Sequence, residues 1–384
     1  WMKVLFQNLS LLVLIIVILC SSMPIISESK EKATLNPYFK SYIDARLRYE
    51  SDWDSRKQNG TFRDDRQRLR TRLRAGLRYE PSPYLRLETR LRTGATRSQQ
   101  SPHLTLVDFS GASTGKDKRI LLDKWYVEGM DNERWVWVGR NKFPFWKQTE
   151  LFWDDDVTPI GGAIGMSRQL PRGAVGAITA YLRLPDGAID FHNQLLAGQL
   201  IYSADIPTAQ IRLAGGFFHF NGKSAATNFR GNNGSRDYSI WVGNLQFKAD
   251  VLNLPMSIGV DFMLNAKRYA RTDPDIFTRT NRDQKTGYVL SFLVGTLEDQ
   301  HNWLAGYRFA HVETLAVNAS FAQDDWIRFG SETQTDSSDF EGHEIRLGYC
   351  LFENINILSR LYLVEALTTA QNGKRWRLDF NVTF

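Results

Sequence analysis

The chain has 384 residues, 42% of them hydrophobic and 23% charged, and 48 Lys and Arg against 42 Asp and Glu leave a formal net charge of +6. Two cysteines, Cys20 and Cys350, exclude a disulfide-stapled scaffold, because the first lies in a segment expected to be removed. A mean hydropathy of -0.36 excludes little. Transmembrane barrels alternate lumen-facing polar residues with lipid-facing apolar ones and therefore average like soluble proteins.

Lys3 precedes an apolar run from Leu11 to Leu19, and Ser21, Ser22 and Pro24 follow it. A basic start, a short apolar stretch and small residues are the pattern of a secretory signal peptide. Residues 1–29 are read as that signal, with cleavage after Ser29. A spanning helix needs roughly 20 apolar residues, more than this run supplies. A lipoprotein signal acylated at Cys20 is the other reading, and large Leu19 before the cysteine weighs against it. An exported chain seldom meets nucleic acid, so the basic balance is not expected to serve it.

From Arg68 the sequence alternates. Arg68, Arg70, Arg72, Arg74 and Arg78 share one parity, and Leu69, Leu73, Ala75, Leu77 and Tyr79 the other. A period of two is the signature of a strand. The pattern repeats after Glu80-Pro81-Ser82-Pro83, with Leu85, Leu87 and Leu91 against Arg86, Glu88, Arg90 and Arg92. A soluble sheet with one wet face alternates in the same way but must then pack its apolar face on a partner. The chain offers no amphipathic helices for that role, and alternation recurs to its end.

The expected fold is therefore all-β: a transmembrane antiparallel β-barrel of sixteen strands, with fourteen or eighteen as alternatives, filling residues 30–384. Strands are expected near 38–50, 66–79, 84–94, 120–129, 134–140, 162–170, 174–184, 194–203, 209–219, 238–250, 256–266, 286–296, 303–313, 341–351, 356–366 and 374–384. Short, Pro- or Asn-bearing connections alternate with long ones, as expected for periplasmic turns and outer loops. In strand 120–129 the parity of Asp123 and Lys124 conflicts. The last strand sets Trp376, Leu378, Phe380, Val382 and Phe384 against Arg377, Asp379 and Asn381. Its terminal Phe384 is similar to the signal that outer-membrane proteins present to their assembly machinery.

The connection 141–161 stands apart, with Phe143, Pro144, Phe145, Trp146, Phe152 and Trp153 beside Glu150, Asp154, Asp155 and Asp156. Held outside a barrel, such a loop exposes aromatic rings to water; folded inward it buries them. Glu150, Asp154, Asp155 and Asp156 are thus expected at a pore constriction. The expected basic wall opposite comprises Arg46, Arg48, Arg68, Arg70, Arg72, Arg74, Arg86, Arg90, Arg92 and Arg140. So many neighbouring cations repel unless acids or water screen them. A solvated loop and a calcium site are the alternatives for the Asp triplet, though three adjacent Asp residues in extended chain cannot all face one ion.

The segment from Val138 to Gly165, VGRNKFPFWKQTELFWDDDVTPIGGAIG, resembles the Putative porin family of Gram-negative outer membranes. The resemblance implies a pore-forming barrel in the cell outer membrane, surrounded by membrane lipid. The function expected is passive diffusion of small polar solutes through a water-filled pore. A channel selective for anionic saccharides and a non-conducting structural or adhesive barrel are the alternatives. General porins of this size resemble trimers, so a homotrimer is entertained. The six His form no HExxH and Ser167 lacks a nucleophile elbow. No catalytic residue, cofactor or metal is expected.

Overall fold

A computed structural model describes residues 38–111, 118–222, 236–326 and 337–384. The signal-peptide reading of 1–29, with Cys20, lies outside them. The compact unit is Lys40–Phe384.

The strands are β1 (Phe39–Arg56), β2 (Arg66–Ser82), β3 (Leu85–Gly94), β4 (Leu104–Asp108), β5 (Arg119–Met130), β6 (Arg134–Arg140), β7 (Ile160–Leu170), β8 (Gly173–Asp186) and β9 (Asp190–Ile206). They continue with β10 (Ala209–Asn221), β11 (Tyr238–Val251), β12 (Leu254–Asn265), β13 (Thr286–Gly295), β14 (Trp303–Val312), β15 (Phe340–Phe352), β16 (Ile355–Ala366) and β17 (Asn372–Thr383). One helical turn, α1 (Ile276–Asn281), caps the connection before β13. Every neighbouring pair is antiparallel, and β17 returns to pair with β1, so the sheet closes. β3 and β4 both pair with β2, one beyond the other, and occupy a single wall position. Sixteen positions result. The expected strands all form, and β4, not anticipated, extends the third beyond the excursion at residues 95–103.

One rim carries turns such as 83–84, 171–172 and 207–208; the other carries the long connections, including 141–159 and 313–339. The connection between β8 and β9 on that loop rim is only residues 187–189, because both strands extend further than their alternation suggested.

The two faces divide as the alternation requires. Leu73, Leu77, Leu85, Leu91, Leu122, Val136, Ile164, Leu200, Leu245, Phe262 and Leu347 lie exposed on the outer surface, an apolar band that only lipid can cover favourably. Leu69, Leu87 and Leu378 are half-buried, while Phe380 and Val382 are buried. Leu73 is 45% exposed. Replacing it with Arg should cost about 2–4 kcal/mol at the bilayer midplane, read from urea unfolding in lipid vesicles; an unchanged midpoint would contradict the facing.

The parity conflict in β5 resolves into a β-bulge. Arg90 pairs with Lys124 but Leu91 pairs with Leu122, so Asp123 is the extra residue. A bulge sets two successive side chains on one face. Asp123 and Lys124 are accordingly both buried inside, while Leu122 and Trp125 on either side are exposed.

Closure between the first and last strands is charged. Arg48 donates to both carboxylate oxygens of Asp379 at 2.6 and 2.9 Å. Arg377 lies 2.7 Å from Glu50, and Arg375 donates to Asp52 at 2.5 Å. Each of these pairs joins residues more than three hundred positions apart.

Candidate functional site

The inner loop, 141–159, is positioned by glycines at its two ends. Gly139 and Gly161 are cross-strand partners on β6 and β7, with φ of 129° and 155°. A Cβ at Gly139 would strike the Trp125 carbonyl, and one at Gly161 the Tyr181 carbonyl. Only glycine tolerates both conformation and contact. The chain can thus leave the wall here and turn into the lumen, which gives the Gly-Arg and Gly-Gly elements of the segment a physical role.

Once inside, the loop buries its rings against the inward side of β10 and β11. Phe143 stacks on Trp153 with centroids 4.2 Å apart, and Phe145 meets Phe218 edge-on at 5.1 Å. Trp153 is fully buried. Polar anchors fix the register: Trp146 N–H donates to Gln199 Oε1 at 2.8 Å, and Thr149 Oγ1 donates to Asp261 Oδ2 at 2.5 Å.

Segments 95–103 and 313–326 of two further connections also fold inward. Leu315, Ala316, Val317 and Phe321 of the 313–339 connection are fully buried. Phe321 stacks on Trp153 at 5.4 Å, and Asp154 N–H donates to the Phe321 carbonyl at 2.7 Å. From the 95–103 excursion, Gln99 donates to the Ser320 carbonyl at 2.9 Å and Gln100 to the Ala319 carbonyl at 3.1 Å. The three loops interlock within the barrel.

The four loop acids separate. Glu150 and Asp155 face a cleft, where Asp155 lies 2.7 Å from Lys147. Asp156 reaches Arg74. Asp154 is buried, and burial first, then Glu150, Asp324, Asp325 and Asp155, push its carboxyl well above the usual range. Because the folded protein favours the protonated form, Asp154 supports the structure at acid pH and costs stability as pH rises from about 3.9. Asp154→Asn, which retains an acceptor for the Asp156 N–H, should flatten the fall in thermal stability between pH 4 and pH 8; an identical slope would contradict this.

The wall arginines are gathered inside, but mostly with partners from the wall itself. Arg46 donates to Asn381 at 2.6 Å and Arg72 to Asp44 at 2.5 Å. Arg68 pairs with Glu50, and Arg70 lies 3.6 Å from the same carboxylate. Arg90 is 2.7 Å and Arg92 3.9 Å from Asp123. Arg86 joins Glu80 and Glu128, each at 2.8 Å. Arg140 donates to Thr158 Oγ1 at 3.1 Å and to the Leu122 carbonyl at 2.9 Å. Only Arg74 contacts the Asp triplet among these residues, so wall carboxylates, more than the loop, offset their repulsion.

Sequence reasoning missed the principal loop anchor, Asp325. It lies 3.6 Å from Arg48 and 3.3 Å from Arg360, and also contacts Arg377. Burial raises its pKa, but Arg377, Arg48 and Arg360 outweigh that and hold the carboxyl far below the usual range. Asp52 was missed because β1 continues past residue 50, and Glu50, inside the expected strand, because its partners Arg68 and Arg377 lie on two other strands.

A cleft of about 460 Å³ remains open between the front of the inner loop and β14–β15. Lys142, Lys147, Gln148, Glu150 and Asp155 face Arg308 and Arg346 across it. Charges of both signs thus line the open space. No metal-binding cluster of His, Cys, Asp or Glu occurs among the described residues.

A closed sixteen-position barrel with an apolar belt and inward loops defines a porin-type protein of the outer membrane. Residues 49–188 match the family model described as Putative porin, so the chain carries the sequence pattern of that family. Its fold is similar to Pseudomonas putida OprB in a high-pH structure, with TM-score 0.57 and 10% identity over 90% of this chain and 94% of that one. It is also similar to a loop-deleted OmpT of Vibrio cholerae, with TM-score 0.51 and 10% identity over 90% and 100% of the two chains. For a Salmonella typhi OmpF complex with daunomycin the TM-score is 0.51 and the identity 9%, over 90% and 97%. At these identities the likeness concerns the fold. Among curated proteins none matches the sequence.

Proposed function

We propose that the barrel is a passive diffusion channel for small polar solutes and that their route passes the cleft between the inner loop and β14–β15. The observation that carries this reading is the open volume itself, faced by Lys142, Lys147, Glu150 and Asp155 on one side and Arg308 and Arg346 on the other. Family and fold imply a channel rather than an enzyme.

Four cations and two carboxylates line the cleft, and rings of Arg or Lys favour anions in pores. The surplus is small and salt screens it over roughly 10 Å at 0.1 M. Reversal potentials in planar bilayers under a KCl gradient should show weak anion preference that fades with salt. The double variant Glu150→Gln, Asp155→Asn should strengthen that preference and alter conductance. Identical current and reversal potential in the variant would remove the cleft from the route.

Assembly as a homotrimer belongs to the same reading, supported by an OmpT structure described as a trimer form. Light scattering of the detergent-solubilised protein tests it. Recognition by the assembly machinery through the strand ending at Phe384 is likewise proposed, since Phe384 is exposed.

A further inference from the structure

Arg308 on β14 and Glu344 on β15 are direct cross-strand partners, and Arg346 lies two residues further along the inward face of β15. Glu344 is fully buried, and both its oxygens are engaged by Arg346: Nε donates at 2.6 Å and Nη2 at 2.9 Å. Arg308 is left with the more distant contact, Nη1 to Glu344 Oε2 at 3.7 Å. Its Nε is buried without an acceptor. Two guanidinium groups therefore share one carboxylate already saturated by one of them.

A buried donor without an acceptor costs about 1–3 kcal/mol, more where the group is charged. Across the cleft, Lys147 pairs with Asp155, and Glu150 acts on Arg308 only through its charge at longer range, so no described loop carboxylate comes within contact of Arg308. What Arg308 lacks is a planar anionic acceptor within hydrogen-bond reach. Guanidinium presents its N–H donors in a flat fork that fits a carboxylate in two parallel hydrogen bonds. Ile178, Phe145 and Trp146 line the same cleft and leave apolar wall beside the fork.

We propose that Arg308, supported by Arg346, is a binding subsite for the carboxylate of a small organic anion passing through the barrel. This rests on the channel reading above and deepens it. Glu344 acts as the counter-charge that keeps the subsite weak enough to release its solute, as conduction requires.

The test uses the full chain in planar bilayers, in KCl, with gluconate, inorganic phosphate or glucose added. Gluconate should reduce the chloride current in a saturating manner, at a concentration at least tenfold below that needed for phosphate, and glucose should not. Arg308→Gln leaves the Arg346–Glu344 pair intact and should weaken the block tenfold or more, whereas Glu344→Gln should tighten it. Retained heat-modifiable migration on gels shows that each variant folds. An absent gluconate block, an equal block in Arg308→Gln, or phosphate as the stronger blocker would overturn the subsite. A bilayer silent in KCl alone would overturn the channel reading instead. Calorimetry of gluconate binding to the detergent-solubilised barrel then decides the subsite: binding lost in Arg308→Gln supports it, and absent binding overturns it.

Discussion

Replacing Asp325 with Asn should release segment 313–326 from the wall and raise both the conductance and the current noise of the channel. Three arginines from three strands, Arg48 of β1, Arg360 of β16 and Arg377 of β17, converge on this one carboxylate. Removing one partner of a buried charge cluster leaves the others desolvated and unpaired, which costs about 3–5 kcal/mol. Asn keeps the shape but not the charge. Acid cannot substitute for the mutation: a depressed folded pKa means that the stabilisation is present above about pH 3.9 and is lost only as pH falls through the depressed value. Conductance that is high at pH 7 in the variant and unchanged by acid in the parent is the expected pair of results. A variant with parental conductance and thermal transition would show that the loop is held by its apolar contacts alone.

The second large effect should come from Trp153→Ala. Trp153 is fully buried between Phe143 at 4.2 Å and Phe321 at 5.4 Å, and so joins two loops that share no chain segment. Truncating a buried Trp typically costs about 3–5 kcal/mol through lost transfer energy and the cavity left behind. The barrel wall is held by its own hydrogen bonds, so the loss should fall on loop docking. Protease nicking within 141–159 should rise sharply while heat-modifiable migration of the barrel persists. Loss of the barrel itself would make the loop part of the folding core, and unaltered nicking would remove Trp153 as the clasp.

Much of the wall was legible because lipid enforces a strict period of two. Where one residue breaks that period, as Asp123 does, alternation alone reports a conflict and not its geometry; the bulge becomes visible only through pairing with Arg90 and Leu91. The aromatic content of 141–159 signalled burial, since Phe143, Phe145 and Trp153 have no favourable place in water, and these rings are buried. The partners of the arginines were not. Sequence proximity and charge favoured Asp154–Asp156, yet wall carboxylates such as Asp44, Glu50, Asp123 and Asp379, with Asp325 of another loop, take most of the contacts, because strand pairing and closure set partners that distance along the chain does not reveal. The oversubscribed Glu344 was hidden for a related reason: Arg346 and Glu344 lie on one parity, but the competition appears only when β14 sets Arg308 opposite.

The charged junction of β1 with β17 bears on how the molecule assembles. Joining segments more than three hundred residues apart carries the largest loop-closure entropy in the chain, growing as roughly 1.5RT ln n, so this junction is the natural last event of folding. Arg48–Asp379, Arg377–Glu50 and Arg375–Asp52 supply complementary charge along that edge and steer its approach before hydrogen bonds form. Asp325 then docks onto arginines from both sides of the finished junction. Its loop can reach its native seat only on a completed cylinder, so loop docking serves as an internal time-stamp of completion, and added salt should slow the closing step more than the insertion of earlier hairpins.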